Sequence, residues 1–337
     1  MARFSHIISA IDSHTAGEPA RIITSGLPSI RGATMAEKWQ YAKQHLDHFR
    51  TALMHEPRGH TDMFGAILTT PTTPRADFGL IFMDSGGFLT MCGHGTIAAA
   101  TVLVEMGIVP AQEPETVITF DTPAGLVETH AEVKDDKVMS IWFENVPAFL
   151  YAPDVEITVP GLGRVTTDIA FGGNFFALVS ADQLALPLEP GNVATFIDYG
   201  LRIREAANRQ ISVQHPTEKH IHRIELVEFT GKPRHPEANA KNLVVFGRGS
   251  VDRSPCGTGT CAKMAALYAK GELALGEPFV HEGIVGTLFH GRLERTIRLG
   301  DVTAVIPRVA GSAYIVGIQQ FVIDPDDPLR YGFLLGR

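Results

Sequence analysis

One five-residue pattern is written twice in this chain, and it sets what the fold must accommodate. Cys92-Gly93-His94-Gly95-Thr96 opens an apolar stretch that stops at Gly107, and Cys256-Gly257-Thr258-Gly259-Thr260 opens another that stops at Gly271. In both copies the stop lies fifteen residues after the cysteine. An apolar segment, GLIFM or NLVVF, precedes each, followed by a glycine-containing turn. The period is too long for a solenoid. Two duplicated halves are therefore expected, each holding a strand–turn–cysteine–helix unit. The 337 residues also exceed what one hydrophobic core usually serves, which independently points to two domains.

The remaining elements alternate irregularly. ARIITSG, AILTT, DFGLIFMDS, TVITFDT, VMSIWFENV, NFFALVS, RIELVEF, NLVVFG and AYIVGIQQFVI read as strands from their β-branched and aromatic content. MAEKWQYAKQHLDHFRTALMH reads as one helix, with Trp39, Ala42, Leu46, Phe49 and Leu53 near the 3.6-residue period. VATFIDYGLRIREAANRQ reads as another, because Phe196, Tyr199 and Ile203 share a side. The mixture indicates an α+β fold class rather than a regular βαβ series.

Composition excludes several function classes. A net charge of −8 argues against nucleic acid, which selects basic patches. The first residues, MARFSHIISAIDSHTAG, lack an apolar core of signal-peptide length, and no apolar run approaches the length that spans a bilayer. Three cysteines make no disulfide framework, so a cytoplasmic, reduced protein is expected.

A cysteine at a helix start is a chemically particular placement. Unpaired backbone N–H groups and the helix dipole favour its thiolate, which is expected to bring its pKa down towards neutrality. The following glycine lets a ligand approach the backbone, and the same free amides hold a carboxylate. Two such units facing each other would set one sulfur on each side of a bound carboxylate's α-carbon. That arrangement suits inversion of a stereocentre, with a thiolate removing the α-proton and a thiol returning one to the opposite face. Sequence alone does not show that Cys92 and Cys256 face each other. Other readings compete. Cys261 is expected to be a small buried hydrophobe. A Cys92–Cys256 disulfide is chemically accessible on oxidation. Cys92, His94 and Cys256 are zinc-type donors, but no CxxC or HExxH spacing accompanies them, and no metal is expected. GRGSVD lacks the third glycine of a dinucleotide fingerprint, which leaves phosphate binding weakly supported.

At MCGH and DRSPCGTGT the chain resembles the proline racemase family, and the resemblance extends through IDSHTAGEPAR, RTALMHEPRGHTDMFG, FGGNFFALVS and FVIDPDDPLRYGF. It implies a diaminopimelate-epimerase-like fold of two similar α+β domains, each with curved mixed strands around a central helix and the active site in the cleft between them. The first domain would span 1–123 plus about 316–337 and carry Cys92; the second would span about 124–315 and carry Cys256. It implies catalysis by Cys92 and Cys256 without a cofactor. The substrate carboxylate would lie on the amides of Gly93, His94, Gly257 and Thr258, and Asp252 would hold the substrate nitrogen with His94 close by. A homodimer acting on a small-molecule imino acid is the family expectation, with no nucleic acid or membrane partner.

The family also contains 4-hydroxyproline 2-epimerases and trans-3-hydroxyproline dehydratases. Dehydratases typically replace the first cysteine, so Cys92 argues for inversion. Phe64 and Phe246 match positions where proline racemases carry phenylalanine, and Leu226 stands where hydroxyproline epimerases tend to have histidine. These residues leave a ring hydroxyl without a partner, which costs roughly 1–3 kcal/mol. Ordinary core packing is the competing account of Phe64 and Phe246. His14 and Glu18 are expected to support the cleft or to cap and pair within a loop, and Glu56, Arg58 and His60 to form a structural polar network; His220 and His222 resemble a two-histidine metal pattern on a strand but are expected to lie on a solvated face, and Asp62 is left unassigned. A non-catalytic imino-acid binding protein is the reading from a different class.

Overall fold

Strand-forming β-branched and aromatic residues dominate the chain, and a computed structural model, which describes residues 4–219 and 221–335, places most of them in strands. In chain order these begin with β1 (His6–Thr15), β2 (Glu18–Ser25), α1 (Met35–His45), α2 (Asp47–Met54), β3 (Phe64–Thr69), β4 (Phe78–Asp84), β5 (Phe88–Leu89), α3 (Gly93–Glu105), β6 (Glu115–Thr122), β7 (Gly125–Lys134) and β8 (Lys137–Glu144). There follow β9 (Phe149–Val159), β10 (Gly163–Phe171), β11 (Phe175–Ser180), α4 (Val193–Gln210), β12 (Ile224–Gly231), β13 (Ala240–Phe246), β14 (Ser250–Asp252) and α5 (Gly257–Ala269). The last are β15 (Pro278–Glu282), β16 (Leu288–Leu299), β17 (Val302–Gly311) and β18 (Ala313–Ile323). The chain packs as two units: residues through Phe143 together with those from Ser312 onward, and Glu144–Gly311. The strands just after residue 123, β7 and β8, belong to the first unit because the β6–β7–β8 meander pairs them in series.

The repeat seen in the five-residue pattern extends to the strand pairing. In the first unit β2 and β3 are parallel, β3 and β4 antiparallel, and β4 pairs with short β5 near one end and parallel β6 near the other. In the second, β11 and β12 are parallel, β12 and β13 antiparallel, and β13 pairs likewise with short β14 and parallel β15. The antiparallel series β6–β7–β8 in one unit has its counterpart in β15–β16–β17 of the other. At the opposite edges stand β18–β1–β2 and β9–β10–β11. Each half is thus the same ladder of strands with the same crossover positions.

Helices α3 and α5 are the equivalent central elements. Both have thirteen residues, and α3 is buried from Gly93 to Val104. A helix with no polar face has to be enclosed. Strands β1, β2, β3, β7 and β18 pack around α3, and β9, β10, β11, β16 and β17 around α5. Both end where the repeat ended: Gly107 and Gly271 take φ of +67° and +76°, a conformation that costs glycine little. In the described residues no helix is long and apolar enough to cross a membrane.

Two expectations need correction. The single helix over 35–55 is two helices broken at Leu46 (φ −119°, ψ 7°). The break turns α2 so that Phe49, Ala52, Leu53 and Met54 join Met35, Ala42 and Leu46 in one core cluster. Strands β1, β5, β7, β9, β10 and β14 to β17 were not anticipated; β7, for example, alternates buried and exposed positions instead of forming an apolar run.

Candidate functional site

In the first unit the approach to Cys92 is built on a tight β4–β5 turn. Asp84 accepts hydrogen bonds from the amides of Gly86 (2.7 Å) and Gly87 (2.6 Å), and the buried Arg50 guanidinium binds the carbonyls of Asp84 and Ser85. Cys92 is the N-cap of α3, and its Sγ accepts from the Gly95 amide at 3.4 Å. His94 Nδ1 lies 3.1 Å from the same sulfur. Burial pulls the His94 pKa down to about 3, so its imidazole is neutral at physiological pH. The ring stands edge-on to Phe64 at 4.3 Å, and Thr15 Oγ1 donates to the His94 carbonyl. A Cβ on Gly95 would lie 3.1 Å from Phe82 and 3.2 Å from Phe64, so two aromatic rings floor this helix start. The amides of Gly93 and His94, at the first turn, have no intrahelical acceptor.

The second unit repeats the layout with different chemistry. Cys256 caps α5 and its Sγ accepts from Gly259 N at 3.4 Å, with Thr258 Oγ1 at 3.7 Å. Its φ of +58° is rare for a residue with a side chain and costs on the order of 1–3 kcal/mol. Asp252 ends β14, and its Oδ1 accepts from Ser254 N (2.8 Å) and Ser254 Oγ (2.7 Å), while that hydroxyl accepts from the Cys256 amide. Burial raises Asp252 to about 6, opposed by hydrogen bonds from Ser254 and the Cys256 thiol. Beneath the helix start lie Glu228 of β12 and His281 of β15, both fully buried. A Cβ on Gly259 would stand 2.3 Å from Glu228 Oε2 and 3.2 Å from Cys256 Sγ. Thr260 Oγ1 sits 3.0 Å from His281 Nδ1, and Asn242 Nδ2 donates to the Pro255 carbonyl.

The expected lowering of a helix-start thiol fails at Cys256. Its pKa is well above the ordinary value, because burial and the carboxylates of Asp252 and Glu228 outweigh the Gly259 amide and the Thr258 hydroxyl. Cys261 is fully buried, as expected, and burial pushes its thiol up to about 12. None of the three cysteines is in a disulfide.

The anticipated site residues therefore fall into two groups. Cys92, Gly93, His94 and Phe64 meet in the first unit; Cys256, Gly257, Thr258 and Asp252 meet in the second. Phe246, half-buried at the end of β13, pairs with Ser250 two residues before Asp252, and Leu226 packs against the cluster that contains Cys256. Arg58 binds the carbonyls of Arg330 and Val322, and the nearby Arg21 forms a two-pronged pair with Asp12, a structural network. His14 accepts from Gly17 N, His60 accepts from Asp62 N, and Glu18 is buried. His222 is exposed in a loop rather than on a strand, and His220 lies outside the described residues. Glu228, His281 and Asn242 escaped sequence reasoning; the only available signal was a glutamate inside the apolar run LVEF.

These buried groups give a signed pH dependence. Glu228 is raised to about 8, chiefly by burial, so its stability contribution is full below the ordinary 4.5 and is lost as pH rises through 8. His94 and His281, both lowered to about 3 by burial, contribute above 6.5 and lose it as pH falls. Between about 4.5 and 6 the two histidines are offset by Glu228 and Asp252. The expected result is a plateau on the acid side, a fall of about 2 kcal/mol from pH 6.5 to 8, and a steeper fall above 9 as Cys256 and Cys261 resist ionisation. Urea unfolding midpoints across that range check it; a midpoint that rises between 6.5 and 8 contradicts a buried protonated Glu228.

A protein-family model described as proline racemase matches residues 10–334. The proline racemase of Clostridioides difficile is 53% identical over 333 residues, covering 99% of each chain. Proline racemase A of Trypanosoma cruzi is 46% identical over 351 aligned residues, covering 99% of this chain and 83% of that one. Among solved structures, a hydroxyproline epimerase from Agrobacterium vitis with bound trans-4-hydroxy-L-proline superposes with a TM-score of 0.93 at 32% identity, over 99% of this chain and 96% of that one.

Proposed function

Because the chain belongs to the proline racemase family, and is an isomerase of the racemase and epimerase kind, we propose that it interconverts L- and D-proline without a cofactor, using Cys92 and Cys256 as alternating base and acid. The observation that carries this reading is the duplicated helix start, with a cysteine N-cap, an adjoining glycine and free first-turn amides in each unit. Those amides, at Gly93 and His94 and at Gly257 and Thr258, would take the carboxylate. Asp252 would take the ring nitrogen; pairing with an ammonium draws its proton equilibrium back towards the carboxylate. In one direction the Cys92 thiolate removes the α-proton and the Cys256 thiol supplies one to the other face; in the reverse direction the roles exchange. The high pKa of the Cys256 thiol suits its entry as the acid.

Phe64 beside His94, and Leu226 beside the Cys256 cluster, favour an unsubstituted ring. The second reading, a 4-hydroxyproline 2-epimerase, is favoured by the likeness to the structure holding trans-4-hydroxy-L-proline. Polarimetry on both imino acids separates them: faster change of L-proline is expected, and faster change of the hydroxylated substrate selects the epimerase. Pyrrole-2-carboxylate, a planar mimic of the flattened α-carbon, is expected to protect both thiols from alkylation. Its failure to protect either would place them outside one site, and absence of α-hydrogen exchange with deuterium oxide would leave only a binding protein. The reading includes a cytoplasmic homodimer, which sedimentation of the purified chain tests as to assembly.

A further inference from the structure

The two helix starts share a backbone plan but not a floor. Below α3, the glycine three residues after the cysteine rests on the rings of Phe64 and Phe82. Below α5 its counterpart, Gly259, rests on a carboxyl group, with the Cys256 sulfur bordering the same face. Glu228 is fully buried on β12; among the described residues neither of its oxygens has a partner at ordinary hydrogen-bonding distance and angle, though the Asn242 side chain is close enough to favour its ionised form. His281 Nε2 is also without one, and stands 3.9 Å from Glu228 Oε1. An acid held in a dry pocket with so little compensation is costly unless it is neutral. The proton chemistry described above does not use it, and an apolar residue would fill the same space at lower cost.

We propose that Glu228, seated under Gly259 and beside His281, is a positioning residue whose charge state governs whether Cys256 stands as thiol or thiolate. The inference deepens the two-thiol reading in its bearing on turnover, but the proton equilibrium it describes exists without substrate. The groups that face Glu228 are Lys263 and Cys261 from α5, Asp252 from β14 and His281 from β15, together with Cys256 itself. Lys263 and the Asn242 side chain draw Glu228 towards ionisation, while burial, the larger effect, and Asp252 hold it neutral. With Glu228 neutral, Cys256 faces only Asp252; once Glu228 ionises, a second negative charge opposes the thiolate. His281, kept uncharged by burial, offers no cation to cancel that charge. The acid therefore acts as a brake that engages as pH rises, and it acts on one thiol of the two.

The test is the pH dependence of Cys256 alkylation by iodoacetamide in Cys92→Ser protein, with the modified residue identified by mass spectrometry. Adding Glu228→Gln is expected to move the alkylation midpoint down by about one pH unit. A midpoint coincident with that of the Cys92→Ser parent overturns the proposal. Should Glu228→Gln fail to fold, an infrared titration of the unaltered protein decides: a protonated carboxyl band lost near pH 8 supports it, and a chain with no such band at pH 7 overturns it. Neither readout requires turnover, so loss of this inference and loss of the racemase reading are separate results.

Discussion

Cys92→Ser and Cys256→Ser are each expected to lower proline turnover by about a thousandfold or more while the protein stays folded. A serine hydroxyl has the size and direction of the thiol but gives up its proton far less readily, so neither direction of inversion retains both a base and an acid. Stability should change little, because serine is itself a good N-cap and can accept from the Gly95 or Gly259 amide that each sulfur now binds. Cys261→Ala provides the contrast: that thiol sits five residues into α5, in the core, and its loss should spare turnover. Polarimetry on the three variants, with circular dichroism to confirm folding, makes the comparison. Substantial turnover in either serine variant would remove the two-thiol assignment.

Gly172→Ala is expected to be the most damaging single methyl in the second unit. Gly172 follows β10, and its carbonyl accepts from Asn145 Nδ2 at 2.7 Å. A Cβ there would stand 2.2 Å from the Thr258 carbonyl oxygen and 2.5 Å from the Ala262 amide nitrogen. Both are backbone atoms of α5, so the clash cannot be relieved by turning a side chain; the helix or the turn has to move. A cost of about 3 kcal/mol is expected, the upper end of the usual overpacking penalty, together with a loss of turnover as Thr258 and Cys256 are displaced. Gly191→Ala, where a Cβ would meet nothing within 4 Å, should stay within about 0.5 kcal/mol. Urea unfolding of both variants checks the pair, and equal midpoints would mean that the β10 turn does not hold α5 in place.

How much of this was legible beforehand follows from how local each signal is. The two cysteine helices and their glycine stops could be read because cap, glycine and apolar run lie within one short segment. Helix α4 matches the residues proposed for it, Val193–Gln210, since its buried residues keep a steady helical spacing. The break at Leu46 was invisible because the apolar residues on both sides keep the helical period and only the packing of α2 against its core bends the chain. Strands such as β7 and β16 are rich in charge on one face, so a search for apolar runs passes over them. The site divides in the same way. His94 and Asp252 lie within four residues of their cysteines. Glu228 and His281 reach Cys256 only through the pairing of β12 with β13 and of β13 with β15, which no local pattern announces.

The backbone of the two caps is not a repeat even where the sequence is. Cys92 is extended at φ −151°, whereas Cys256 is left-handed at +58°. In the proposed reaction the mirror-image forms of proline have the same free energy in water, so the Haldane relation would require kcat/KM to be equal in the two directions, however unlike the sulfurs are. Their inequality has one outlet: the enantiomer with the lower KM must also be converted with the proportionately lower kcat. An enzyme built this way would run evenly when substrate is scarce and become lopsided only as it fills.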